Sequence, residues 1–118
     1  MVLIIGLPNA GKTTYSQRFT EVLHYDDISR YRQAERIEIY RSTEAECIEG
    51  IYNTVASRKR ILDNVTADTK VCIWIDTPVD ICIEREDRGR GEHLVLAHEK
   101  MFEPPTYEEG WDEIVIVR

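Results

Sequence analysis

Residues 6–13 read Gly-Leu-Pro-Asn-Ala-Gly-Lys-Thr, between an apolar run, Met1 to Ile5, and a stretch whose apolar residues recur at helical spacing. That order of strand, glycine loop and helix restricts the chain to folds in which a strand ends beneath the start of a helix. Gly6 and Gly11 allow backbone conformations that a Cβ would forbid, so successive N–H groups can turn inward around an anion. The β- and γ-phosphates of a nucleoside triphosphate fit that demand. Lys12 adds a point charge, and the Thr13 hydroxyl stands where a Mg²⁺ ion bridging those phosphates takes an oxygen ligand. The expected nucleotide contacts are Leu7, Pro8, Asn9, Ala10, Gly11, Lys12, Thr13 and Thr14, with ATP and Mg²⁺ as the ligands.

At 118 residues the sequence predicts a single domain over 1–118. A balance of 42% apolar and 31% charged residues is that of a globular protein, and no apolar run approaches the roughly 20 residues that span a bilayer. Met1 opens directly into the first strand, so no signal peptide is expected. Cys47, Cys72 and Cys82 are odd in number, lie in apolar segments and form no Cys-x-x-Cys pair, which predicts buried thiols in a reducing cytoplasm. The net charge of −7 argues against a protein that coats nucleic acid. Ten of the 15 basic residues nonetheless fall into three groups: Arg30, Arg32, Arg36 and Arg41; Arg58, Lys59 and Arg60; Arg85, Arg88 and Arg90. Each reads either as part of a locally positive cleft or as a solvated helix face.

Strand-like and helix-like segments alternate, which predicts an α/β fold: an open, mainly parallel five-stranded sheet with helices on both faces. Tyr15, Phe19, Val22 and Leu23 make one helical stripe, placing the end of the first helix near Leu23. His24 to Ile28 reads as a short strand delivering Asp26 and Asp27. Ser29 to Arg41 reads as helix, Cys47 to Ile51 as strand, and Asn53 or Thr54 as the cap of a helix carrying Val55, Ile61, Leu62 and Val65. Val71 to Ile75 is apolar throughout, as a strand covered on both faces must be. Thr77 is the expected N-cap of the next helix, with Pro78 at its first position. Arg85 to Gly91 is an expected loop, Glu92 to Phe102 a helix, Pro104 to Gly110 a loop and Ile114 to Val117 the last strand. The ligand crevice of such a sheet lies at the carboxyl ends of its strands.

Neither an Asn-Lys-x-Asp guanine signature nor a Ser-Gly-Gly-Gln motif occurs, and the chain is short for a motor ATPase, so a small phosphotransferase leads among nucleotide-dependent classes. Phosphoryl transfer requires positioning, charge neutralisation and a carboxylate that accepts the proton of the attacking hydroxyl. Asp26 and Asp27 stand where such a carboxylate is needed, although an Asp-Asp pair can also cap a helix. Val71 to Asp76 imitates a strand ending in a magnesium aspartate, but Asp76 precedes a helix and reads better as capping it. His93 and His98 are five apart, not a one-face helical spacing, and read as surface or lid residues.

Four segments together, Gly6 to Thr13, Asp26-Asp27-Ile28-Ser29-Arg30, Thr77-Pro78 with Cys82 and Arg85, and Phe102-Glu103-Pro104-Pro105-Thr106-Tyr107-Glu108-Glu109-Gly110-Trp111, resemble the small P-loop kinases of the polynucleotide 5′-hydroxyl kinase type. That family is similar also to gluconate kinases and zeta-toxin-like enzymes. The resemblance spans nearly the whole chain and implies a P-loop kinase architecture and ATP-dependent transfer to a hydroxyl, foremost the 5′-hydroxyl of a polynucleotide. By motif position Asp26 is the implied general base and Lys12 a catalytic phosphate contact. Arg85 opens a segment resembling the family's lid, at about 85–102, with Arg88 or Arg90 as the second lid arginine, because Gly89 stands at the family's spacing. Three residues after the base the family usually carries an arginine, whereas this chain has Ser29 followed by Arg30. At the family's third-strand acid it has Glu49 or Tyr52, depending on the alignment, and Glu49 would orient magnesium through water or pair with an arginine. A nucleoside, nucleotide or sugar acceptor, or a nucleotide-binding module without turnover, are the alternatives.

Overall fold

The computed structural model describes residues 1–87, 89 and 91–118. Five strands, β1 (Val2–Ile5), β2 (Val22–His24), β3 (Cys47–Glu49), β4 (Val71–Ile75) and β5 (Glu113–Val117), form one sheet in the order β2-β3-β1-β4-β5. Every pairing is parallel. The helices are α1 (Lys12–Ser16), α2 (Tyr25–Ile28), α3 (Gln33–Ser42), α4 (Val55–Asn64), α5 (Val79–Glu84) and α6 (Glu92–Met101), with a 3₁₀ turn at Tyr107–Glu109. The α/β expectation holds, with a sheet that is wholly rather than mainly parallel. No helix among the described residues is long and apolar enough to cross a membrane.

The two-residue period of the strands divides the core between the faces of the sheet. Leu3 and Ile5 of β1, Ile48 of β3 and Cys72 of β4 pack with Tyr40 of α3 and Ile61 and Leu62 of α4. Ile4, Cys47, Ile73 and Ile75 point the other way and pack with Cys82 of α5 and Val95 of α6. Val95 is fully buried, so α6, inside the expected lid, is seated on this second layer.

Several boundaries differ from expectation. α1 has five residues and does not reach Leu23, because the chain turns at 17–21 and enters β2, where Val22 pairs with Cys47. The apolar stripe misleads because Tyr15, Phe19 and Val22 do share one layer, whereas Leu23 packs on the opposite one, as successive strand residues must. Asp26 and Asp27 consequently lie on the short helix α2, not in a strand. Thr54 caps α4 as expected, accepting from the Ser57 N–H in a reciprocal capping box. Pro78, not Thr77, is the N-cap of α5. Asp76 caps no helix either: its carboxylate lies 3.4 Å from Arg118 Nε.

The helix-face reading of the second basic group fails at Arg58, which is 0% exposed. Its Nε donates to Glu109 Oε1 at 2.7 Å and its Nη2 to Oε2 at 3.2 Å, a two-pronged grip on one carboxylate. Nη1 donates to the Tyr52 carbonyl at 2.9 Å and Nη2 also to the Glu103 carbonyl at 2.8 Å. Much of the Pro-Pro-Thr-x-Glu-Glu-Gly-Trp segment is thereby explained as a clasp. Thr106 caps its turn, Glu109 holds Arg58, and Trp111 is buried beneath.

Candidate active site

β1 and β3 are neighbours, yet the chain leaving β1 packs through Tyr15 of α1 on one layer while that leaving β3 packs through α4 on the other. Connections that part in this way open a crevice at the carboxyl ends of the strands. A cleft of about 850 Å³ lies there, lined by the 8–15 loop and helix, by Tyr25 and Asp26, by Glu49 to Ile51, and by Arg85 on the far side.

The loop between β1 and α1 is held in a bent form. Gly11 sits at φ +103° and Asn9 at φ +65°, left-handed values that glycine adopts freely and asparagine more readily than most residues. The Asn9 side chain donates to the Cys82 carbonyl at 3.3 Å and to Glu86 Oε2 at 3.2 Å, which fixes the bend from the α5 side. The Thr77 hydroxyl, expected as a cap, instead donates to the Ala10 carbonyl at 2.6 Å. Lys12 is 8% exposed and its Nζ donates to the Leu7 carbonyl at 2.6 Å, so the ammonium is folded across the loop mouth. Arg85 reaches the same loop from α5, Nη1 donating to the Asn9 carbonyl at 3.3 Å. A helix of five residues carries little macrodipole, so an anion here would be met chiefly by loop amides and these two cations.

Asp26, exposed on α2, also lines the cleft. Glu49, 7% exposed at the end of β3, lines the cleft and meets His24 Nδ1 at 2.7 Å, so its structural partner is a histidine rather than an arginine. Thr13 lies exposed at the cleft side of α1, and Ser16 donates to its carbonyl at 2.7 Å. The described residues contain no cluster of three or more His, Cys, Asp or Glu able to hold a metal unaided. One hydroxyl and one buried carboxylate lining the same cleft would suit Mg²⁺, which keeps several waters and takes its remaining oxygens from nucleotide phosphates.

The cleft therefore brings together Pro8 to Thr14, Asp26 and Arg85 of the expected residues, while Leu7 contributes its carbonyl to Lys12. Arg88 and Arg90 lie outside the described residues. Arg30 is turned away, its guanidinium 5.1 Å from the Tyr31 ring centroid and donating to that hydroxyl. Arg18 and the His24 partner of Glu49 were not anticipated. Arg18 lies 4.0 Å over the Tyr15 ring and lines the cleft, and its only sequence signal was a cation one turn beyond the glycine loop. His24 could be paired with Glu49 only once β2 and β3 were known to be neighbours, with these two residues in register. His98, expected as a surface or lid residue, is half-buried on α6, inside the expected lid segment, with Nδ1 3.1 Å from the Asn53 amide. No protein-family model matches the chain, and no curated protein matches it.

Proposed function

We propose that this protein is an ATP-dependent phosphotransferase that moves the γ-phosphoryl group to a hydroxyl acceptor, foremost a polynucleotide 5′-hydroxyl. What supports the reading is that Lys12 and Arg85 both donate to carbonyls of one bent loop and, with Asp26, line a single cleft of about 850 Å³. Loop amides and Lys12 hold the β- and γ-phosphates, with Thr13 as the protein ligand of a Mg²⁺ ion that neutralises phosphate charge when bound. The acceptor oxygen attacks the γ-phosphorus as its proton passes to Asp26, and the bond to the β,γ-bridging oxygen breaks, leaving ADP and a phosphomonoester. Arg85 is placed to neutralise charge on the transferring oxygens. A cytoplasmic setting belongs to the same proposal, supported by three cysteines that are all buried and free.

A small acceptor is the second reading, favoured by the net charge of −7 and by Ser29 where the resembling family carries a phosphate-holding arginine. Radiolabelled ATP offered with 5′-hydroxyl oligonucleotides, nucleosides, nucleotides and sugars separates the two by which acceptor takes label. Asp26→Asn should lower transfer by about 10²–10⁴-fold while ATP affinity stays within twofold. Transfer at the original rate in that variant, or ATP binding with no label moved to any acceptor, would remove the kinase reading.

A further inference from the structure

His24 and Glu49 are register partners at the ends of the neighbouring parallel strands β2 and β3. Such partners put their side chains on the same face of the sheet, so the contact between this ring and this carboxylate follows from the pairing itself. Alternation along the strands identifies the face. Leu23 and Ile48 pack on one layer of the core, whereas Val22, Cys47 and Ile4, the β1 partner of Glu49, pack on the other, which also receives Tyr15 of α1. Glu49 therefore leaves the sheet on the side that carries α1 and, on it, Thr13.

The two oxygens of this acid stand in different surroundings. Oε2 lies 2.7 Å from His24 Nδ1, and because a carboxylate oxygen only accepts, Nδ1 carries the hydrogen. No described residue donates to Oε1. Yet no buried side-chain nitrogen or oxygen among the described residues lacks a partner, so Oε1 is not sealed, and what little of Glu49 is exposed opens on the cleft that it lines. A buried acid with one oxygen held and the other open to a cleft is aimed at what the cleft holds. His24 is also the N-cap residue of α2, but its ring crosses to Glu49 and caps nothing, and Asp26 follows two residues on. One residue thus joins the strand end that carries the buried acid to the helix that carries the proposed base.

We infer that His24 is a positioning residue: it holds Glu49 with Oε1 presented to the cleft, where that oxygen accepts from the hydration shell of the Mg²⁺ that accompanies the nucleotide. The inference rests on the nucleotide-binding part of the kinase reading. Because Mg²⁺ keeps several waters, a carboxylate can act on it as an outer partner, and an outer partner works only while its own orientation is fixed. Here the fixing bond comes from His24, which itself touches neither nucleotide nor acceptor.

Calorimetry of ATP binding, in Mg²⁺ and in EDTA, tests this on His24→Phe, His24→Asn, Glu49→Gln and the combination of His24→Phe with Glu49→Gln. In the wild type Mg²⁺ should tighten ATP binding. His24→Phe keeps a ring but loses the donor, and should reduce that enhancement about tenfold while ATP affinity in EDTA, which also confirms the fold, stays within about twofold. His24→Asn puts an amide nitrogen in the place of Nδ1 and should keep the enhancement within about threefold. Glu49→Gln, a nearly isosteric change, should reduce it as His24→Phe does, and the combination should be no worse than Glu49→Gln alone, since one residue acts through the other. A merely structural role would lower Tm and leave the enhancement intact. That result in either single variant, an equal loss with and without Mg²⁺, losses that add in the combination, or a wild type that Mg²⁺ does not tighten would overturn the inference and leave the kinase reading to the transfer assay. Variants that behave as expected in a protein that labels no acceptor would remove the kinase reading and leave the role of His24 standing. If ATP fails to bind at all, both are overturned.

Discussion

Arg58→Met should remove a large part of the protein's stability through a group that touches no substrate. The change deletes a guanidinium that is 0% exposed and leaves the Glu109 carboxylate, whose side chain is 4% exposed, without its cation. Removing one partner of a buried ion pair costs about 3–5 kcal/mol, because the charge left behind cannot recover its hydration. The Tyr52 and Glu103 carbonyls lose donors as well, but these losses share one network and do not simply add. A total of about 4 kcal/mol is a large share of the 5–15 kcal/mol typical of a domain. At the usual unfolding entropy per residue it lowers Tm by about 16 °C. Scanning calorimetry measures this directly. Arg58→Met combined with Glu109→Met should recover at least half the loss, since the stranded charge is gone. A single-variant loss below about 1 kcal/mol, or losses that simply add in the double variant, would refute the reasoning.

The same pair sets a pH dependence. Burial pushes the Glu109 carboxyl up, but the Arg58 hydrogen bonds, the Thr106 N–H, the Arg58 charge and the Trp111 N–H outweigh it, so its pKa lies below the usual carboxylate value. A folded pKa below the unfolded one contributes stability that is present above about pH 4.3 and is lost as pH falls through the folded value. In Arg58→Met burial is opposed only by the Thr106 and Trp111 N–H groups, Glu109 takes up a proton more readily, and the deficit against wild type should shrink between pH 7 and pH 4. A deficit that stays constant across that range contradicts the assignment.

Gly50→Ala should destabilise by about 1–3 kcal/mol, since the added methyl must displace the Tyr52 ring or Tyr25 Cβ, and chemical denaturation would reveal it. A variant as stable as wild type would mean that the turn after β3 is looser than its geometry implies. Burial pushes the Cys47 and Cys72 thiols up to about 12 and also raises that of Cys82, so thiolate is scarce at neutral pH. Reaction with a disulfide reagent at pH 8 should therefore be slow in the folded protein and rapid in denaturant. Fast labelling of the native state would show that at least one thiol is accessible.

The layers and most element types were legible because hydrophobic period reports burial directly: Val71 to Ile75 is apolar on both faces and is covered on both. The end of α1 was not, because a stripe at spacings of four and three is the same whether the chain continues as helix or turns into a strand. Lys12, Asp26 and Arg85 could be assigned to a cleft from motif position, whereas Thr77, His24 and Arg58 take their partners from distant segments. Nothing local marks an arginine that will be buried: Arg58, Lys59 and Arg60 are consecutive, yet one faces the core, one pairs with Asp63 at 3.0 Å and one lines a small cavity between α3 and α4. Their helical phase separates them, and only the α4 boundary fixes that phase.

That separation ties the clasp to the candidate chemistry. Arg58 holds the carbonyl of Tyr52, Tyr52 meets Tyr25 edge-on, and Tyr25 precedes Asp26 on α2. α2 is a short helix with no side-chain cap, so the packing of Tyr25 on Tyr52 is one of the contacts that fix the orientation of Asp26. The Glu103 and Glu109 segment, more than fifty residues further along the sequence than Arg58's nearest contact at Tyr52, thus sets the wall behind the proposed base without entering the cleft. A residue that acts in this way is a positioning residue: Arg58→Met measured well below its lowered Tm should reduce transfer with little change in ATP affinity, because the glycine loop is anchored from α5 and β4 and not from α4.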